Sequence, residues 1–156
     1  MVKTLTLCVV RNDTHVLLGM KKRGFGEGRW NGFGGKVQLG ETIEEAARRE
    51  LREECGLEAE TLEKRGVLTF EFATLPEVLE VHVYEVTSHR GEPVESEEMR
   101  PAWFRLTDIP FNEMWPDDRH WLPRFLEGQE LHGKFYFLDT ETLLDFTLHE
   151  GLPQPV

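Results

Sequence analysis

Cysteine is scarce in this chain: its 156 residues contain two, Cys8 and Cys55, far apart and outside any CxxC or His/Cys grouping. That excludes a disulfide framework and a thiolate metal site, and leaves two reduced, semi-buried thiols incidental to function. Hydrophobic runs are short, none approaching the roughly 20 residues that cross a bilayer. No basic stretch followed by an apolar one opens the chain, so the expectation is a cytosolic protein with no membrane partner. Positive charge is in deficit, with 18 Lys and Arg against 29 Asp and Glu and a formal net charge of -11. Broad binding of nucleic acid needs basic surface to meet phosphates and is therefore excluded. A small phosphate ligand remains open if a divalent metal bridges the charge. Nucleophile constellations are lacking as well, since His15, His82, His89, His120, His132 and His149 are scattered without a Ser or Cys pattern beside them, which argues against a covalent intermediate. Repeats, linkers and low-complexity tracts are missing too. With 39% hydrophobic and 30% charged residues the composition is that of a globular protein. The length suits one domain over residues 1–156, closing in a mobile tail from Gly151 to Val156.

What the chain has in abundance is acid, most pointedly between Gly35 and Leu57, GKVQLGETIEEAARRELREECGL. Thr42 followed by Glu45 has the spacing of a capping box, and Gly56 can close a helix in the left-handed conformation. Together they predict a helix from Ile43 to Cys55. At about 100° per residue, Ile43, Ala46, Ala47 and Leu51 form one apolar stripe, the pattern of a helix packed on a sheet. Glu50 and Glu54 lie along the centre of that stripe and Glu53 at its edge, while Glu44, Glu45, Arg48 and Arg52 point to water. A glutamate-rich helix is ordinarily a solvated face. Three carboxylates turned inward, however, repel one another and lose hydration, so they call for a cation. Mg2+ or Mn2+ suits carboxylate oxygens shared with phosphate best. Arg49, four residues before Glu53, orients that carboxylate or is an ordinary helix ion pair. Just ahead, Phe33-Gly34-Gly35-Lys36 offers a backbone able to approach a ligand with its carbonyls free, although Gly-Gly alone is usually a turn.

Around this stretch the apolar periodicity predicts strands at Thr4–Val10, Val16–Met20 (its hairpin partner across Arg11–Thr14), Val67–Ala73, Val78–Thr87, Ala102–Leu106, Leu131–Leu138 and Leu143–Leu148. A second helix is expected at Arg119–Glu127, capped by Asp117 or Asp118 and kinked or started late by Pro123. Lys21, before a glycine-rich loop whose one large apolar residue is Phe25, is either solvated or in contact with a phosphorylated substrate. Asn31 suits a turn or a base edge. Phe70 and Phe72 share one strand face and suit a core or a stacking platform. Trp115-Pro116-Asp117-Asp118 reads as a turn with a helix cap, or as the wall of a base pocket.

Gly35, five residues, Glu41, seven residues, then Arg49-Glu50-Leu51-Arg52-Glu53-Glu54-Cys55-Gly56-Leu57 resembles the complete Nudix box, residues 35–57. Seven specified residues arise by chance on the order of once in a billion starting positions. The resemblance implies an α/β (α+β) Nudix fold, a mixed β-sheet sandwiched between α-helices. It also implies a Mg2+-dependent (or Mn2+-dependent) hydrolase of nucleoside diphosphate derivatives. By the same resemblance Glu50, Glu53 and Glu54 are metal ligands, the Gly34 carbonyl and Glu98 complete the coordination, and Glu54 orients or deprotonates the attacking water. Val16–Gly26, Arg29–Gln38, Phe70–Phe72, Val94–Pro101 and Met114–Asp118 are similar to Nudix hydrolases that act on oxidised purine nucleoside triphosphates. That likeness implies a small-molecule nucleotide substrate such as 8-oxo-dGTP or 2-hydroxy-dATP, cut to monophosphate and pyrophosphate by a monomer. It places Thr6, Lys21, Asn31, Phe70, Phe72, Trp115, Asp117, Asp118 and Trp121 around the base, with Leu79 where close relatives carry methionine. Two adjacent carboxylates cannot both ionise freely in a dry pocket, so the aspartate pair offers a donor as well as an acceptor. The alternatives are a Nudix hydrolase of ADP-ribose or a dinucleotide polyphosphate, and a nucleotide-binding module without catalysis, whose signature would be a lost box glutamate.

Overall fold

In the computed structural model, which describes residues 1–153, the chain forms ten strands, two α-helices and a one-turn 3-10 helix at Phe111–Glu113. The strands are β1 (Val2–Arg11), β2 (His15–Lys21), β3 (Trp30–Asn31), β4 (Glu58–Ala59), β5 (Glu63–Phe72), β6 (Val78–Val86), β7 (His89–Arg90), β8 (Met99–Arg105), β9 (Leu131–Phe137) and β10 (Leu143–Glu150). The helices are α1 (Ile43–Cys55) and α2 (Asp118–Leu126). A mixed sheet runs β10-β9-β5-β6-β1-β2-β3, with β8 paired to β2, and β4 and β7 form a separate two-stranded ribbon.

The expected β1–β2 hairpin closes only next to its turn, through Val10↔Leu17 and Arg11↔Val16. Asn12 fixes that turn by accepting the backbone N–H groups of Thr14 (2.9 Å) and His15 (2.8 Å) on its side-chain oxygen. Beyond it the strands diverge. β1 instead pairs in parallel with β6, from Val2↔Val78 to Val10↔Val86, and β2 pairs antiparallel with β8 from His15↔Arg105 to Lys21↔Met99. The strip Phe33–Lys36 lies along the freed side of β1, where the Thr6 N–H donates to the Gly35 carbonyl (2.9 Å) and the Cys8 N–H to the Phe33 carbonyl (2.6 Å). The glycine pair is needed for this approach: a Cβ on Gly34 would stand 1.8 Å from the Thr6 carbonyl oxygen, and one on Gly35 2.7 Å from the Glu50 carboxylate. Their role is close packing against β1 and Glu50.

Helix α1 has the predicted boundaries. Both halves of its capping box are present and Gly56 closes it at φ 76°. Ala47, Leu51 and Cys55 pack with Cys8, Val10, Phe33 and Tyr84 on one face of the sheet. On the other face Trp121, Leu122 and Phe125 of α2 join Leu68, Val83, Phe135 and Phe137. The sheet is thus held between the two helices, as expected of the fold class. Cys8 and Cys55 are wholly buried rather than semi-buried. Burial pushes the Cys55 thiol up to about 12 and the Cys8 thiol higher still, which keeps both inert.

Helix α2 begins one residue before the prediction, and neither aspartate caps it by side chain. Asp117 occupies the cap position without a capping hydrogen bond, because its carboxylate accepts the Trp121 indole N–H instead (2.8 Å). The expected tail at Gly151–Val156 falls partly on 154–156, outside the described residues. At its start the Gly151 N–H donates to the Glu130 carbonyl and His132 Nδ1 donates to the Gly151 carbonyl (2.8 Å). Among the described residues no helix is long and apolar enough to cross a membrane.

Candidate active site

The divergence of β1 from β2 opens a cavity of about 500 Å³ on the sheet. At one end stands Glu54 of α1, only 4% exposed, whose Oε1 accepts the Gly34 N–H at 2.8 Å. Burial raises its carboxyl to about 8, against the opposing pull of that hydrogen bond, and the charge of Glu50 adds to the rise. A carboxylate this desolvated, with no cation in hydrogen-bond contact, is suited to a divalent ion.

The three box glutamates are not equally inward. Glu50 is half-buried beside Gly35, whereas the Glu53 side chain is 58% exposed, a correction to the inward placement of all three. Arg49 explains the difference: its guanidinium reaches Glu50 (2.9 Å) and Glu53 (3.1 Å), and forks onto both oxygens of Glu41 (2.6 and 3.0 Å). The expected pair with Glu53 exists, but Glu41 is the main partner and holds the arginine charge well above its ordinary range. Glu98 lies across the site, bonded to Arg23 (2.9 Å) and Lys21 (3.1 Å), which keep its carboxyl below the usual range. Lys21 therefore holds a carboxylate in this state while lining the cavity. Among the described residues no three acidic, His or Cys side chains are clustered as a finished metal site. The donor set nevertheless fits a hard cation: carboxylate oxygens from Glu50, Glu53, Glu54 and Glu98 beside the Gly34 backbone.

At the other end the adjacent carboxyls of Asp117 and Asp118 are each 3% exposed. Burial pushes Asp117 up to about 6, and the Trp121 bond works against it. Asp118 is pushed well above the aspartate range, first by burial and then by the negative charge of Asp117, so simultaneous ionisation of both carboxyls is disfavoured. Asp118 Oδ2 is buried without a partner in a wall of the cavity. A ligand edge able to meet that orphaned oxygen would relieve its cost.

The cavity brings together all nine residues expected from sequence around the base. Thr6 and Asn31 line it, and Asn31 also accepts the Gly32 N–H at 2.8 Å, as its turn reading requires. Phe70 and Phe72 serve the core and the cavity together: Phe70 stacks on Phe135 (5.4 Å between centroids), Phe72 stacks on Phe137 (5.0 Å), and both line the wall. Leu79 stands opposite Phe70 on the neighbouring strand. Trp115 and the buried Trp121 complete that wall, whereas Glu50, Glu53 and Glu98 lie outside it.

Two participants escaped the sequence reading. Phe25 of the glycine-rich loop lines the cavity and packs on Trp115 (4.9 Å) and Phe72 (6.0 Å). Its signal was an aromatic in an otherwise apolar-poor loop. Arg29, absent from the cavity lining, places its guanidinium carbon 4.4 Å from the Trp115 ring centroid, and nothing local in the sequence marks it. The histidines stay apart from the site, as expected: His82 pairs with Glu80 (2.7 Å) on the sheet and does not reach the cavity.

A NUDIX domain family model matches residues 2–125. The chain is 54% identical over 145 residues to an oxidized purine nucleoside triphosphate hydrolase of Mus musculus, covering 93% of both chains. It is 52% identical over 148 residues to the protein of the same name from Danio rerio, covering 95% of each. Among solved structures it is similar to a mutator MutT protein of Bacillus halodurans, with a TM-score of 0.82 at 26% identity, over 94% of this chain and 97% of that one.

Proposed function

The chain belongs to the Nudix family, and on that premise we propose that it hydrolyses oxidised purine nucleoside triphosphates, such as 8-oxo-dGTP and 2-hydroxy-dATP, to the monophosphate and pyrophosphate, sanitising the nucleotide pool. The names of its mouse and zebrafish relatives support this reading. The observation that carries it is one cavity lined both by a desolvated carboxyl, Glu54, and by a pair of adjacent buried carboxyls, Asp117 and Asp118.

Nudix hydrolases work with a divalent metal. Mg2+ is the ion proposed here, held by Glu50, Glu53, Glu54, Glu98 and the Gly34 carbonyl. When bound it neutralises the polyphosphate and acidifies water for attack on phosphorus. Glu54 keeps one carboxylate oxygen on the Gly34 N–H, which leaves the other to orient the attacking water. Arg49, fixed by Glu41, sets the positions of Glu50 and Glu53. Lys21 is within reach of both Glu98 and the cavity, so it can pass from the carboxylate to a phosphate oxygen when substrate enters.

At the base end Trp115 offers a face for stacking, while Asn31 and the aspartate pair read the edge. With the proton on Asp118 the pair presents one donor and one acceptor. Transfer of that proton to Asp117 exchanges the two, so one pocket accommodates the different edges of 8-oxoguanine and 2-hydroxyadenine. Residues 1–156 act as one catalytic domain, a cytosolic monomer.

The test is product analysis with 8-oxo-dGTP and dGTP, each with Mg2+ and with chelator. Metal-dependent release of pyrophosphate with a strong preference for the oxidised base is expected. Turnover without preference would remove the base-pocket assignment, and binding without turnover would make the protein a nucleotide-binding module.

A further inference from the structure

We propose that Arg29 is a positioning residue for base recognition, its guanidinium backing Trp115 so that the opposite, cavity-side surface of the indole is presented to the purine. This rests on the reading of Trp115 as the base platform. The Arg29 guanidinium carbon lies 4.4 Å from the Trp115 ring centroid, within the range of a cation held over an aromatic face. Its side chain is only 15% exposed. Trp115 lines the substrate cavity and Arg29 does not: Arg29 borders a separate, polar depression behind it, together with Glu27, Arg119 and Glu141. The arginine is therefore kept from direct contact with the substrate, and acts through the tryptophan.

The remaining contacts of Trp115 explain why it needs such a support. Phe25 packs at 4.9 Å, but the Phe25 side belongs to a loop with three glycines at positive φ, Gly24, Gly26 and Gly28, and is more than half exposed. Phe72 and Phe137 touch the indole edge-on, at 6.2 and 6.1 Å. Gly26 lies so close to its edge that a Cβ there would stand 3.2 Å from Trp115 Nε1. Among the described residues Arg29 is the one cation over a face of the ring, and Glu141 of the β9–β10 turn holds it through a 3.1 Å ion pair. Glu141 is 78% exposed, so that pair is screened and contributes little by itself. The charge of Arg29 also favours ionisation of Asp117, a small influence beside the burial that raises that carboxyl.

The experiment is steady-state kinetics on 8-oxo-dGTP and dGTP for Arg29→Met, Arg29→Lys, Glu141→Gln and Trp115→Ala, with thermal melting of each. Arg29→Met is expected to raise KM for 8-oxo-dGTP by about five- to thirtyfold, the worth of a largely desolvated cation–π contact. Its kcat should stay within about twofold, the signature of lost binding without lost chemistry. Arg29→Lys should recover part of the KM, since the charge remains but the flat guanidinium does not. Glu141→Gln should change KM by less than about twofold. An unchanged KM in Arg29→Met, or Arg29→Lys no better than Arg29→Met, would assign the residue to packing and overturn the proposal. If Trp115→Ala itself keeps the preference for the oxidised base, the platform reading fails and the proposal with it. If Trp115→Ala loses the preference and Arg29→Met does not, the platform stands and only the proposal falls.

Discussion

The two ends of the cavity solve the same electrostatic problem in different ways. Both bury carboxyls that water would rather keep. At the helix end Glu54 is desolvated beside Glu50, with Arg49 and Glu41 forming a frame around Glu50 and Glu53, an arrangement that, on the proposed function, a divalent cation would complete. At the aspartate end burial and mutual repulsion favour a protonated carboxyl over a pair of bare charges, and the Trp121 indole N–H bonds one oxygen of Asp117. The first arrangement suits transient charge on a polyphosphate. The second suits a neutral base whose donors and acceptors must be read.

That contrast can be broken most strongly at Glu54. Glu54→Gln should lower kcat by about a thousandfold or more, because a group aligned with the reacting centre is lost, while nucleotide binding followed by fluorescence titration persists. Chelator should reproduce the loss in the native protein. A variant retaining tenth-scale activity would place the chemistry elsewhere.

Next in size, Asp118→Asn should raise KM for 8-oxo-dGTP by about ten- to a hundredfold with kcat largely kept, the cost of leaving buried polar groups mismatched. Asp117→Asn should change the ratio of 8-oxo-dGTP to 2-hydroxy-dATP turnover differently. Equal losses in both variants, with that ratio constant, would end the shared-proton account.

Gly35→Ala sharpens the comparison from the metal side. Its new Cβ would meet the Glu50 carboxylate at 2.7 Å, and that side chain can move away. A fall in kcat of about tenfold is expected from the displaced ligand, with little change in melting temperature or in base preference. Gly34→Ala, by contrast, would drive a Cβ into the Thr6 backbone and should fold poorly.

The smallest effect concerns pH and separates the ends by their protons. Asp117 has its carboxyl raised from 3.8 to about 6 in the folded protein. Between those values the native state holds a proton that the unfolded chain has released, so stability falls as pH rises through that window. The fall continues above it while Asp118 remains protonated. Urea denaturation from pH 4 to 7 should show a decline on the order of a few kcal/mol, and the double change Asp117→Asn with Asp118→Asn should make it shallower, leaving the share of Glu54, whose carboxyl is raised to about 8. An unchanged slope would mean that the pair ionises freely.

The helix end was legible in sequence because its chemistry is local. Thr42, Glu45 and Gly56 fix the limits of α1, and the i, i+3, i+4 spacing alone relates Glu50, Glu53 and Glu54. The inward placement of Glu53 was overread, since azimuth cannot tell that Glu41, eight residues before Arg49, would draw the guanidinium. The base end draws on β1, β3, β5 and α2. Its aspartates carry a recognisable motif, but Phe25 and Arg29 acquire meaning only from Trp115, some ninety residues away by the numbering. The divergence of β1 from β2 was equally invisible, for the apolar pattern of both strands is satisfied by either a full hairpin or separate partners. Strands β3, β4 and β7 have two residues each, too few for any periodicity.

The parallel pairing of β1 with β6 has a consequence for how the molecule comes into being. Val2 finds its partner in Val78, and Phe70 its neighbour in Phe135, so the first strand to emerge during synthesis waits for about half the chain, and the cavity wall waits for nearly all of it. Such long-range contacts close slowly. During that wait the apolar strand Leu5–Val10 lacks its β6 neighbour along one edge, a stretch that a chaperone would be expected to shelter.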